Sequence, residues 1–366
     1  MTVAIASDEL SSRDISPPHR APRQASSRLP ATRIHTIDAL RGFAALAVVW
    51  YHLTQGDPSF LPDGLLKSSG RYGGVAGVQS FFVISGFIIP FALHQARYTH
   101  RSFFRFLGKR MLRLDPPYLA SVALVLVVGA IAREFPEFLW HLHRVRTREL
   151  FAHLGYLNGF FGYRWVNNVY WTLAIELQYY LVIALLFPLS QRLPRRTAWL
   201  FPFMLVLASW LPRPRLGGAP LRDDLILPYL GVFAIGFLAF QRRIGTISWR
   251  VYLPLLAAAG AAVYMRQNGL IAVAAIAAAL VISLVTLRNG LLSWLGESSY
   301  SLYLVHEPVR WVIYAATRMD TSVGGSGRQL VACAALAVAL VLARLMYVTV
   351  ERPSQRLSSR LRYTPA

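Results

Sequence analysis

The sequence predicts an all-α integral membrane protein with about ten transmembrane helices and both termini on the cytoplasmic side. Three observations carry that prediction. Apolar runs close to bilayer-spanning length recur along the chain. Hydrophobic residues make up 55% of the sequence and the mean hydropathy is +0.42, too apolar for an ordinary soluble domain. Basic residues gather in alternate connections between the runs, as the positive-inside rule requires.

Residues 1–33 are rich in Ser, Pro, Arg and Ala without apolar periodicity, and are expected to form a disordered basic tail. The first apolar run follows this tail and is succeeded by many others, so it is expected to stay in the membrane as an anchor. The runs fall at 36–54, 75–97, 112–132, 169–189, 197–212, 224–240, 248–265, 269–287, 299–317 and 328–350. With that count the N-terminal tail, the Arg97 to Arg113 segment, the Arg192 to Arg196 loop, the Arg242 and Arg243 loop and the C-terminal tail 356–366 share one side. The formal net charge of +21 is then a signature of topology, and no nucleic-acid partner is expected. One loop dissents: 133–168 carries Arg133, Arg144, Arg146 and Arg148 on the opposite side, together with Trp140, Phe151, Tyr156, Phe160 and Phe161. So aromatic a connection is expected to pack back on the membrane face.

Chemistry-bearing residues recur inside the runs. On the first, a step of eleven positions leads from Arg41 to His52, which places them within roughly 20° of one helix face and about 16 Å apart along the axis. Ionisable groups inside a span are costly and commonly functional. The second run holds Ser85 and Gly86, small residues suited either to close helix packing or to a narrow channel wall. Arg110 and Arg113 lie one turn apart before the third run, where arginine forks can take phosphate oxygens. The fourth carries a polar stripe of Thr172, Glu176 and Tyr180 beside Trp171, and the ninth places Tyr303, His306 and Arg310 on one face next to Pro308. Glu307 reads as a local partner of Arg310, and Glu351 as an interfacial charge at the end of the last run.

Other chemistries find little support. Cys333 stands alone, so no disulfide within this chain and no cysteine metal cluster is expected. His141 and His143 are a weak zinc or copper motif at best, and no bound metal is expected. Phosphate loops, dinucleotide fingerprints and nucleophile elbows are lacking. From the residues alone three classes stay open: an enzyme, a transporter or flippase whose buried Arg, Glu and His line a translocation path, and a membrane scaffold for envelope assembly.

Taken in order, Ile37-Asp38-Ala-Leu-Arg41-Gly with His52, Phe81-Phe-Val-Ile-Ser85-Gly86-Phe87, Arg113-Leu-Asp-Pro116-Pro-Tyr118, Trp171-Thr172 with Glu176 and Tyr180, Gly296 with Ser299-Tyr300 and His306, and Glu351-Arg352-Pro353 resemble the acyltransferase-3 family of multi-pass membrane O-acyltransferases. The resemblance covers 34–355 as one transmembrane acyltransferase domain. Gln79, Thr172 and Leu177 depart from the commoner Asp, Ser and Glu. The resemblance implies transfer of an acyl group, most often acetyl, from cytoplasmic acyl-CoA to a sugar hydroxyl at the cell (inner or plasma) membrane. Acyl-CoA is then a co-substrate rather than a bound cofactor, and the partners are the donor, a sugar-containing acceptor and the lipid bilayer. His52 and Glu176 are the catalytic residues it implies, His52 as general base or acyl carrier and Glu176 orienting it. Arg41, Arg110, Arg113, Trp171, Tyr180 and His306 are the substrate-binding residues it implies.

Overall fold

The computed structural model describes residues 34–133, 145–212, 215–216, 219–220, 224–286, 289–320 and 322–361. The tail 1–33, Trp140 and the His141 and His143 pair lie outside these residues. The described helices are α1 (His35–Gln55), α2 (Leu65–Ser69), α3 (Gly73–Gln95), α4 (Phe103–Arg133), α5 (Thr147–Leu154), α6 (Trp171–Arg192) and α7 (Leu200–Ala208). They continue with α8 (Leu230–Arg243), α9 (Trp249–Arg266), α10 (Gly269–Leu284), α11 (Gly290–Glu297), α12 (Ser299–Met319), α13 (Gly325–Met346) and α14 (Arg352–Arg360). Among the described residues the only strand pairing is β1 (Arg215–Leu216) with β2 (Ala219–Pro220), antiparallel, with Arg215 opposite Pro220. The expected all-helical class therefore stands. Among the described residues four stretches, Leu65–Gln95, His100–Ile131, Asn168–Arg192 and Gly325–Arg360, are long and apolar enough to cross a membrane.

Side-chain pairings fix the relative direction of the helices. α3 runs antiparallel to α1, with Gly73 against Ala47 and Gly77 against Ala44. α6 runs parallel to α3, since Ser85 meets Glu176 and His94 meets Gln191. It runs antiparallel to α4, where Ser121 and Tyr170 hydroxyls pair at 2.6 Å and the rings of Phe106 and Tyr180 lie 6.3 Å apart. α12 runs with α4, because Tyr300 donates to the Leu114 carbonyl while Trp311 packs on Val125. α7, α8, α9 and α10 follow as successive antiparallel neighbours through Ala198 with Gln241, Gly231 with Val263, and Gly260 with Ile276. α10 ends where α1 starts, the Thr36 hydroxyl donating to the Val285 carbonyl at 2.9 Å.

Glycine sets the closest contacts. Gly86 of α3 and Gly236 of α8 face each other backbone to backbone, and a Cβ on either would strike a carbonyl of the other helix. Gly42 and Gly296 do the same between α1 and α11. Such approaches gain dispersion contact and need small residues, as in membrane helix pairs.

The dissenting loop folds back on the bundle in its described part. Tyr156 stacks on Tyr118 with ring centroids 4.6 Å apart and donates to Asp115, near the middle of α4. His153 is fully buried, its Nδ1–H donating to the Glu149 carbonyl at 2.7 Å while its Nε2 accepts the Val166 amide at 3.2 Å. Trp165 donates to Asp224, tying the segment to the chain before α8.

Candidate functional site

α1 is unbroken from His35 to Gln55, so Arg41 and His52 do sit on one helix, about 16 Å apart in rise. Each end meets a different set of partners.

At the C-terminal end of α1, His52 Nδ1 lies 3.1 Å from His306 Nε2 and 3.1 Å from the Val48 carbonyl. His306 Nδ1 lies 3.2 Å from the Leu302 carbonyl. A carbonyl only accepts, so the Leu302 contact assigns the His306 proton to Nδ1 and makes its Nε2 an acceptor. That acceptor, together with the Val48 carbonyl, assigns the His52 proton to Nδ1. His52 Nε2 is left as a lone pair with no protein partner among the described residues. The His52 side chain is 25% exposed while His306 is 1% exposed, so the buried ring holds the more accessible one.

Glu307 completes this group. Its Oε1 stands 4.0 Å from His52 Nδ1, and its carboxylate takes a two-pronged bond from Arg310 at 3.1 and 2.8 Å. The Arg310 pair is legible in the sequence and the histidine contact is not, because His306 and Glu307 point about 100° apart on a helix and periodicity gives no reason for both to face α1. The donor atoms of His52, His306 and Glu307 lie within 4.8 Å of one another, so they are the residues that would hold a metal. The proton accounting fills that space with an N–H, and the neighbouring Arg310 charge opposes a dication. The donor set therefore fits a hydrogen-bonded base better than a metal centre.

Glu176 is not part of that group. Its Oε1 accepts both the Ser85 and the Tyr180 hydroxyls at 2.6 Å. One turn outward Thr172 pairs with the Tyr303 hydroxyl at 2.8 Å, and His306 is three residues further along α12, its ring 5.8 Å from that of Tyr303. Because α6 and α12 run in opposite directions, Glu176 lies about 10 Å of rise from His306. The expected contact in which Glu176 orients His52 is therefore not made; Glu307 stands where that carboxylate was expected. Ser85 splits from Gly86 as well: its hydroxyl fixes Glu176, while the glycine serves packing.

Toward the N-terminal end of α1, Arg41 is half-buried, with Arg113, Glu351, Asp38 and Glu176 as its charged neighbours. Neither Arg41 nor Arg113 makes a direct hydrogen bond or ion pair among the described residues. Two neighbouring guanidinium groups without direct partners form a ready anion site. Arg110 stacks over Phe106 at 5.5 Å and over Tyr180 at 5.4 Å. Glu351, expected to be an interfacial charge, is instead 2% exposed and accepts the backbone N–H and hydroxyl of Ser301. It caps the first turn of α12 from a π-helical turn, Tyr347–Glu351, a distortion that frequents functional sites. Trp171 packs with Tyr229, their rings 5.8 Å apart.

An acyltransferase-domain model of the acyltransferase-3 family matches residues 34–348, a region that takes in α1 to α13 and both groups. The chain belongs to the acyltransferase-3 family. It is 29% identical to a putative membrane-bound transacylase, BcsY, of Komagataeibacter xylinus over 88% of this chain and 83% of that one. It is 30% identical to a putative acetyltransferase of the Acidianus two-tailed virus over 48% of this chain and 46% of the relative. The O-acetyltransferase OatA of Staphylococcus aureus is 30% identical over 42% of this chain, a match that spans 24% of OatA. No solved structure matches significantly. The acyltransferase-3 chain described here is thus a membrane protein and an O-acyltransferase.

Proposed function

We propose that the protein carries an acyl group, acetyl in the simplest case, from cytoplasmic acyl-CoA to a sugar hydroxyl of a glycan, glycolipid or glycosylated metabolite. The observation that carries this reading is the histidine pair of buried His306 and half-buried His52, whose proton accounting leaves His52 Nε2 as a free base beside Glu307. In the reaction the acceptor O–H gives its proton to His52 Nε2 as its oxygen attacks the thioester carbonyl. The tetrahedral intermediate collapses with cleavage of the C–S bond, and the CoA sulfur leaves with the proton from His52. His306 keeps the tautomer in place and Glu307 stabilises the transient imidazolium; Arg310 holds Glu307 ionised and oriented.

Arg41 and Arg113, with Arg110 nearby, supply the cation cluster for the CoA phosphates. An extended pantetheine arm is long enough to cover the rise of about 16 Å from Arg41 to His52. The alternating helix directions support ten spans, α1, α3, α4, α6 to α10, α12 and α13, in a cell membrane with both termini cytoplasmic. In that topology the arginine cluster opens to the cytoplasm and His52 lies toward the far leaflet.

The test uses the purified full-length protein with acetyl-labelled acetyl-CoA and glycan extracts of the source cell. Free CoA thiol appearing in step with labelled acceptor supports the reading. A transporter would move intact solute without consuming acetyl-CoA, and that result overturns it.

A further inference from the structure

Glu176 holds an unusual place for a carboxylate. It is half-buried on a helix where Ala174, Ile175, Tyr179 and Tyr180 are buried, so part of its side chain stays accessible. Two hydroxyls converge on its Oε1, those of Ser85 on α3 and Tyr180 one turn away on α6. Oε2 receives no donor among the described residues. The carboxylate is thus pinned by one oxygen and presents the other.

Its position along the bundle is equally defined. Arg41 is a charged neighbour on the inner side, and Tyr303, which leads to His306, is a neighbour on the outer side. Glu176 lies about 10 Å of rise short of His306, between the cation cluster and the reacting pair. A carboxylate so placed accepts hydrogen bonds and donates none. A ligand threading from the arginines to His52 must therefore carry an N–H or O–H donor partway along its length.

The pantetheine arm has that feature. It carries two secondary amides, one next to the cysteamine carbons and one nearer the diphosphate, each with an N–H to donate. We infer that Glu176 Oε2 accepts an amide N–H of the acyl donor's pantetheine arm, which makes Glu176 a donor-recognition residue rather than the partner of the catalytic histidine. The inference rests on the acyl-CoA reading above and deepens it. It also explains the Ser85 hydroxyl beside Gly86: Gly86 suffices for the packing, and Ser85 sets the carboxylate's rotamer.

Binding to the full-length protein in lipid nanodiscs tests this with two probes, acetyl-CoA and adenosine 3′,5′-bisphosphate, which keeps phosphates but lacks the arm. Glu176→Ala is expected to weaken acetyl-CoA about tenfold or more, the scale of a hydrogen bond to a charged group, and to leave the bisphosphate within about twofold. Glu176→Gln, which keeps an acceptor oxygen and the side-chain shape, is expected to fall less than Glu176→Ala. Unchanged acetyl-CoA affinity in Glu176→Ala overturns the inference, and so does an equal loss for both probes, which marks a purely structural role. Wild-type protein that binds neither probe overturns the acyl-CoA reading itself, a result distinct from either of these.

Discussion

His52 and His306 form a dyad in which each ring nitrogen has one assigned task, and this makes residue-scale predictions sharp. A non-basic residue of similar bulk at 306 frees the His52 tautomer, so His306→Phe is expected to lower kcat about a hundredfold while leaving the acetyl-CoA KM within about threefold. Steady-state kinetics check this, and an unchanged kcat would mean that His306 is packing alone. Glu307 and Arg310 are buried together, with side-chain exposures of 5% and 12%. Removing one leaves the other charge uncompensated: Glu307→Gln is expected to destabilise by about 3 kcal/mol, whereas Glu307→Leu with Arg310→Leu costs less than the single change. Thermal unfolding in detergent measures both. At this scale the Arg41 to His52 stripe could be read in the sequence because helical period alone sets it. The partnership of Glu307 with His52 could not, since it depends on the rotation of α12 against α1. Glu176 was misplaced for a similar reason, as spacing within α6 says nothing of its depth relative to α12.

Helix contacts show how elements hold these groups in register. Gly86 and Gly236 let α3 and α8 touch, which in turn carries Ser85 to Glu176. Gly236→Val is expected to cost about 2 kcal/mol or more by forcing the helices apart, read as a fall in unfolding temperature. A value near zero would show that the pair can slide. The segment before α6 offers a second element-scale test. Burial lowers the pKa of His153, and its neutral ring accepts the Val166 amide, with Glu149 the acidic neighbour on its own helix. A depressed folded-state pKa means that stability is present above the usual histidine pKa and is lost as pH falls through the depressed value. Unfolding temperature is therefore expected to drop between pH 8 and pH 5, and less so in His153→Gln. Equal pH dependence in both proteins would remove His153 from the account. Aromatic richness had signalled that this loop packs, but its reach to Asp115 and Tyr118 was beyond periodicity, because loop paths follow tertiary contacts.

Across the whole molecule, one end of α1 carries Arg41 with Arg113 as a neighbour and the other carries the His52 and His306 pair, with the Glu176 carboxylate between them. The helical class and most apolar runs were legible because hydropathy and charge placement act locally. The run 197–212 shows the limit: α7 covers only Leu200–Ala208, short for a bilayer crossing. Its direction, antiparallel to α8, is what keeps it in the alternation. The central claim, that His52 is the base of an acyl-CoA transfer, is tested most directly by measuring CoA thiol release coupled to acceptor labelling for His52→Ala. The variant must insert and unfold like the wild type. The account predicts loss of transfer with adenosine 3′,5′-bisphosphate binding intact; transfer retained near the wild-type rate would contradict it.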